Sequence, residues 1–435
     1  MSKFDAIIGY NEVKKELQQI ADTLKNPKHY EKLGVSAPKG LLLYGEPGVG
    51  KSLMAAALIE ASGRQAFICR KDQPNGDFVK HIKETFDRAV ENAPSIILLD
   101  DMDKFANGDE NRPDAEEYVT VQSCIDNVKG KDVFVIATVN AFYNLPKSLR
   151  RAGRFDRRIN ICEPVGKDAR DIIGHYLRGK KVADTVDSDL ISRIMDGRSC
   201  AELETVVNTA GIYAGYQRAE AITMEHLIDA CLQIVMQVPK RDDEEDNICP
   251  EILSETGNEA AQIVYHEAGH AVVSEVLCPG SVNLVYAYYR DRNRGGIMDA
   301  YNDRTRSRLY WEKSRILCAL GGMAANEQKG GAADIGGISD LDRAFLDTRD
   351  LLVNRCTNGL RLHSLGRDDT QQLRFVQEEA TAEEVEKLYK KAKEILALNT
   401  EFLEKLARAL AEKKLLTTAD IQEIKASCKI VPVAL

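Results

Sequence analysis

Two histidines one helical turn apart, with a glutamate beside the first, make up residues 266–270: His266, Glu267, Ala268, Gly269 and His270. They sit in residues 261–277, an apolar stretch without proline whose spacing predicts a helix. On a helix, positions i and i+4 share a face, so both imidazoles can turn to one ion. Zinc takes such nitrogen ligands in tetrahedral geometry, and a catalytic site keeps one position open. Glu267 is then placed to take a proton from a water attacking a carbonyl. Gly269 and the small residues Ala268 and Ala271 let a second segment approach closely. The same pattern occurs in helices that bind nothing. Here two of only seven histidines fall in it, with the glutamate in register, and that favours zinc.

A second set of residues suits phosphate. Residues 39–44 (KGLLLY) form a compact apolar run, expected to be a buried strand. It leads into Gly45, Glu46, Pro47, Gly48, Val49, Gly50, Lys51 and Ser52, and Leu53 then opens a helical run. This is GxxxxGK[ST] in its required context of strand, loop and helix, which a chance glycine-rich turn does not supply. The glycines let backbone N–H groups wrap phosphates, and the helix N-terminus adds a positive dipole end. Lys51 would reach the β/γ-phosphates of ATP and Ser52 would ligate Mg2+. A second apolar run, residues 95–99, ends in Asp100 and Asp101. An acidic pair after a buried strand suits Mg2+ binding (Asp100) and polarisation of the attacking water (Asp101). A third run, residues 132–138, ends at Asn140, positioned to sense the γ-phosphate or orient that water. Residues 149–158 (LRRAGRFDRR) carry five arginines. A cluster offered across a subunit boundary to a neighbour's γ-phosphate explains them better than nucleic-acid binding does.

Elements must hold these groups in place, and 435 residues suffice for two to four domains. A hydrophobic fraction of 44% and a charged fraction of 29% describe an ordinary soluble protein. A net charge of −9 argues against general nucleic-acid or anionic-membrane binding. No stretch approaches the roughly 18 apolar residues of a membrane span, and the N-terminus lacks a signal-peptide core. Ten cysteines scattered singly fit thiols kept reduced in the cytoplasm. The chain begins with an amphipathic helix over residues 11–24, ending before Pro27. Residues 166–236 read as helices (188–198, 201–216 and 224–236), a small lid. The charged, proline-bearing stretch 238–258 reads as a solvated linker. Beyond the metal helix, residues 281–289 and 295–300 suggest a hairpin, and 310–327 a helix. After the glycine-rich 330–337, Asp340 opens a helix over 340–356. Its carboxylate is a candidate third metal ligand, with Asp334, Asp342 and Glu327 as competitors. Two charged amphipathic helices over 377–416 close the chain.

Taken together, these residues resemble the FtsH family, membrane-tethered AAA+ ATPases fused to a zinc peptidase. The resemblance runs from about Phe4 to the last helix in one order: FDAIIGYNEVKKEL, PKGLLLYGEPGVGKS, IILLDD, RRAGRFDR, YHEAGHA, then GGMAANE and GGISDLD. It implies an α/β AAA+ domain with a parallel sheet between helices over 1–165 and a helical lid over 166–237. A linker over 238–258 and a mainly helical zinc peptidase domain over 259–435 follow. It also implies a homohexamer acting on protein substrates, Arg154 and Arg157 as inter-subunit arginines, Asp100 on magnesium, Asn140 as sensor and Asp340 as third zinc ligand.

The chain departs from the family at several points. The family's transmembrane segments precede the ATPase, whereas this chain starts almost at it, so a tether is expected only from another chain. The family's catalytic glutamate is here Asp101, one methylene shorter, which implies slower hydrolysis. The pore-loop stretch 71–77 has Pro74 where the family has an aromatic, with none before Phe78. Ala152 stands where the family has proline. Three functions remain: an ATP-dependent zinc endopeptidase, a zinc peptidase whose ATPase domain is mainly a nucleotide-binding scaffold, and a non-proteolytic remodeller. His266, Glu267, His270 and Asp340 speak against the third.

Overall fold

The computed structural model describes residues 3–35, 38–72, 75–106, 115–151, 153–241, 246–255, 257–291, 293–301, 307–330, 337–363 and 370–435. Pro74, Ala152 and Asp334 lie outside the described residues. The chain divides into two compact units, residues 1–227 and 228–435.

The first unit runs α1 (Asn11–Lys25), α2 (Pro27–Glu31), β1 (Gly40–Tyr44), α3 (Lys51–Ser62), β2 (Gln65–Cys69), α4 (Asn75–Glu91), β3 (Ser95–Leu99), α5 (Glu116–Asn127), β4 (Val133–Val139) and β5 (Arg157–Asn160). Its strands form one parallel sheet in the order β2-β3-β4-β1-β5. The three central strands are the three apolar runs of the sequence. Period-two alternation splits them between two cores. Leu42, Ile97, Leu99, Val135 and Ala137 face Phe78, Ile82 and Phe86 of α4 and Val121 and Ile125 of α5. Leu41, Leu43, Ile96, Leu98, Phe134 and Ile136 face Leu17, Ile20 and Leu24 of α1 and Met54 and Leu58 of α3. Burial on both faces is what makes such strands read as unbroken apolar runs. The two outer strands, QAFIC and RRIN, carry exposed positions and have no such run. Helices α6 (Lys167–Leu177), α7 (Ser188–Ile194) and α8 (Cys200–Tyr216) follow, α8 opening on a Ser199/Glu202 capping box. Helix α9 (Met224–Ile234) holds the division between the units.

The second unit is built round α10 (Glu259–Leu277), which starts at an Asn258 cap and is buried almost all round. The rest is β6 (Val282–Arg290), β7 (Asn293–Ala300), α11 (Arg308–Gln328), α12 (Ile338–Arg349), α13 (Gln371–Leu398), α14 (Thr400–Lys413), β8 (Leu415–Thr417) and α15 (Thr418–Ala426). An antiparallel sheet in the order β7-β6-β8 packs on α10. Two expectations need correction. The chain does not close on two helices, since β8 pairs with β6 and α15 follows. Nor is the described part of residues 238–258 a solvated loop. Ile248 and Ile252 join the core with Val264 and Leu403, and Arg241 pairs with Asp229 at 2.8 Å. Among the described residues no helix is long and apolar enough to cross a membrane.

Candidate active sites

In the first unit β1, β3 and β4 end at the same sheet edge, where Tyr44 pairs in register with Val139 and Leu99 with Ala137. That edge therefore gathers the loop 45–50, Asp100, Asp101 and Asn140, at the carboxyl ends of strands where open α/β sheets bind ligands. Gly45 has no room for a side chain, since a Cβ there would lie 2.0 Å from the Ile161 carbonyl oxygen. Val49 is buried and anchors the loop, while Glu46, Pro47 and Gly48 are exposed. Gly50, at φ 97°, turns the chain into α3, whose first N–H groups face the loop. Lys51 Nζ donates to the carbonyls of Gly45 and Glu46, each at 2.7 Å. Burial pulls the Lys51 pKa below the usual ammonium value despite Asp101, Asp103 and Glu46 nearby.

Ser52 Oγ donates to Asp100 Oδ1 at 3.1 Å, and Thr138 Oγ1 donates to the same oxygen at 2.7 Å. Arg70 grips the other oxygen, Oδ2, through Nε at 2.7 Å. Burial raises the Asp100 pKa, but these hydrogen bonds outweigh it and hold the carboxyl below its usual range. Asp101 has φ 54°, its N–H donates to Thr138 Oγ1, and its carboxylate pairs with Lys104 at 2.7 Å. The backbone N–H of Asn140 donates to Asp103 Oδ1 at 3.2 Å. The two arginines are separated. Arg157 is exposed on β5, whereas Arg154 is largely buried and forks onto Asp126 at 3.2 and 2.7 Å. To reach a neighbour, Arg154 must first leave Asp126.

In the second unit, α10 presents His266 and His270 on one face, with ring centroids 4.6 Å apart. Asp340, in the first turn of α12, brings Oδ2 to 3.0 Å from His266 Nε2 and 3.3 Å from His270 Nε2. The ligand atoms of the three lie within 4.8 Å of one another. His270 Nδ1 donates to the Cys318 carbonyl at 2.6 Å, which leaves Nε2 as the ligating nitrogen. Two imidazoles and a carboxylate, converging on one point with a supported tautomer, fit zinc. Burial lowers the His270 pKa, but the bonds to Asp340 and Cys318, with Glu267 beside them, raise it well above the usual imidazole value. Burial of Asp340 is likewise outweighed by the two imidazoles, which hold its carboxyl far below the usual range.

The competing carboxylates are elsewhere. Glu327 accepts from Tyr389 at 2.6 Å and from Lys393 at 3.1 Å, and Asp342 faces solvent. Small residues set the crossings round the site. A Cβ on Gly269 would lie 2.4 Å from the Gly321 carbonyl oxygen, and one on Gly322 would strike the His266 ring. Gly296 of β7 lies against Glu267, where a Cβ would come within 2.3 Å of Cγ. The result is a cleft of about 1100 Å³ whose lining includes Glu267, His270, Gly296, Trp311, Cys318 and Asp340. Sequence reasoning passed over Arg70, Thr138, Asp103, Asp126 and Cys318. The last acts through its carbonyl and leaves no residue-type signal. Thr138, directly before the expected sensor position, was the most readable.

A phosphate-binding loop on a five-stranded parallel sheet, followed in the same chain by a helix-borne His-His-Asp site, defines a P-loop ATPase joined to a metallopeptidase-like unit. Residues 41–163 match the ATPase family associated with various cellular activities (AAA). An ATP-dependent zinc metalloprotease FtsH of Caldicellulosiruptor bescii is 30% identical over 458 aligned positions, 97% of this chain and 71% of that protein. FtsH 3 of Symbiobacterium thermophilum is 29% identical, covering 97% and 70%, and FtsH 2 of Sphaerobacter thermophilus 30%, covering 99% and 67%. The chain belongs to the FtsH family.

Proposed function

We propose that this chain is a soluble, ATP-dependent zinc endopeptidase, working as a homohexamer on protein substrates. In this reading Gly45–Leu53 binds the phosphates of ATP, with Lys51 exchanging two loop carbonyls for phosphate oxygens. Ser52 and Asp100 hold Mg2+, Asp101 and Asn140 orient the attacking water, and Arg154 and Arg157 serve the neighbouring subunit. His266, His270 and Asp340 hold zinc. The ion, when bound, supplies the Lewis acidity that peptide hydrolysis requires. Glu267 takes the proton of the attacking water and returns it to the leaving amine. The outer edge of β7, the last strand of its sheet, gives an extended chain backbone groups to pair with beside Glu267, and Gly296 keeps that approach open.

The observation that carries the reading is the convergence of His266, His270 and Asp340 on one point of a cleft that Glu267 also lines. A second reading, a zinc peptidase with the ATPase unit as a nucleotide-binding scaffold, is favoured by two observations. The Asp101 carboxylate is engaged by Lys104, and Phe78, the first aromatic after β2, is buried against Phe105 at 4.8 Å and cannot grip a polypeptide.

Digestion of an unfolded and of a tightly folded protein tests both. Each is run with ATP, with a non-hydrolysable analogue and without nucleotide, with Glu267→Gln as the blank. Degradation of the folded protein only with ATP supports the first reading. Cleavage of the unfolded protein alone, whatever the nucleotide, supports the scaffold. Glu267→Gln is expected to retain zinc and to lose about a hundredfold or more in cleavage rate. Wild-type cleavage by that variant would remove Glu267 as the base.

A further inference from the structure

Arg70 immediately follows β2, and β2 pairs with β3 so that the Asp100 N–H donates to the Cys69 carbonyl at 3.0 Å. This places the Arg70 guanidinium beside the Asp100 carboxylate. Nε and a terminal nitrogen both contact Oδ2, at 2.7 and 2.6 Å. Oδ1 is shared by Ser52 and Thr138. Ser52 and Asp100 thus already stand together as a magnesium site needs them. Among the described residues the only cation paired with that carboxylate is Arg70. The Asp100 side chain is 6% exposed and that of Arg70 62%, so the acid is fixed and the base is free to swing into solvent.

We propose that Arg70 is a positioning residue that competes with magnesium for Asp100 and thereby sets how much magnesium nucleotide binding requires. The inference rests on reading residues 45–53 and Asp100 as a magnesium-nucleotide site. Its physical basis is charge. A buried carboxylate is costly without a partner, and the guanidinium neutralises Asp100 as a divalent cation would. Arg70 sits on Oδ2 while Ser52 marks Oδ1 as the metal's side, so a guanidinium and a magnesium ion would face each other as like charges across one carboxylate. Loading the metal therefore displaces Arg70, and its departure subtracts from the metal's apparent affinity. Among the described residues no other ion pair or side-chain hydrogen bond holds the Arg70 side chain back. Its neighbour Lys71 is anchored separately, to the Phe105 carbonyl and over the Phe78 ring, so the displacement stays local to Arg70.

The test is binding of a fluorescent ADP to the full chain across a magnesium titration, for wild type, Arg70→Gln and Arg70→Lys. Because the guanidinium is largely exposed, its hold on Asp100 is a modest one, and Arg70→Gln is expected to lower the half-maximal magnesium concentration about fivefold. Arg70→Lys, which keeps the charge, is expected to stay within about twofold of wild type. Arg70→Ser, a smaller neutral side chain, should move the midpoint in the same direction as glutamine and guards against a fault peculiar to one variant. Binding that is intact in the neutral variants with an unchanged or raised magnesium requirement overturns the inference and leaves the nucleotide site standing. A wild-type chain that binds no nucleotide at any magnesium concentration overturns both.

Discussion

The proposed metal triad is where single residues decide most. His266, Glu267 and His270 were legible because a helix turns i and i+4 to one side, a rule that needs no tertiary information. Asp340 was not legible from spacing, since its distance from the histidines depends on how α12 is laid across α10 and α11. The structure brings Asp340 to the histidines while Glu327 is held by Tyr389 and Lys393. The charge state of the triad gives a prediction. His270 has a raised pKa and Asp340 a depressed one, because each favours the charged form of the other. The raised His270 pKa contributes stability that is present at low pH and lost as pH rises through it. The depressed Asp340 pKa contributes stability lost only on strong acidification. Zinc needs the imidazole donor atoms unprotonated, so its binding expels the extra proton of His270. Zinc affinity, measured against a competing chelator between about pH 8 and about pH 6, should weaken by about tenfold per unit for each proton expelled. An affinity flat across that range would mean that the His270 imidazole is neutral before zinc binds.

Among elements, burial explains what the sequence revealed. Strands β1, β3 and β4 are covered on both faces and read as apolar runs. Strands β2, β5 and β8 lie at sheet edges or are only three residues long, and their composition does not announce them. The five arginines of residues 149–158 mask the start of β5, which the same stretch leads into. The crossing of α10 over α11 positions His266 and His270, two of the three proposed zinc ligands, and is set by glycine. A Cβ at Gly269 would meet backbone at Gly321, which cannot rotate away as a side chain could. Gly269→Ala should therefore force the two helices apart and cost about 1–3 kcal/mol. Since His266 and His270 flank that position while the Cys318 carbonyl on α11 orients His270, the same variant should bind zinc more weakly. Thermal unfolding and zinc content together check this. An alanine variant with unchanged midpoint and full zinc would show that the crossing has slack.

On the scale of the whole molecule, each unit has a hydrophobic core of its own, drawn from its own elements. The sequence separated the two by chemistry, placing phosphate-binding residues before the metal helix. It missed that residues 248 and 252 join the core of the second unit, because the charges of residues 238–258 obscure Ile248 and Ile252, both of which are buried. Two units with separate cores, each with its own proposed ligand, give a molecular-scale prediction. A ligand that binds only the folded form stabilises what it binds by RT ln(1 + [L]/Kd), about 2.7 kcal/mol at a hundredfold excess over Kd. Magnesium-ADP should raise the midpoint of one unfolding transition, and zinc removal should lower that of another. Calorimetry with each ligand added or withdrawn separately makes the assignment, and variants at Lys51 and His270 should each abolish one shift and spare the other. A single transition that both ligands move equally would mean that the chain unfolds as one cooperative unit. Nucleotide occupancy would then bear directly on the stability of the proposed metal site, which the division into two units does not predict.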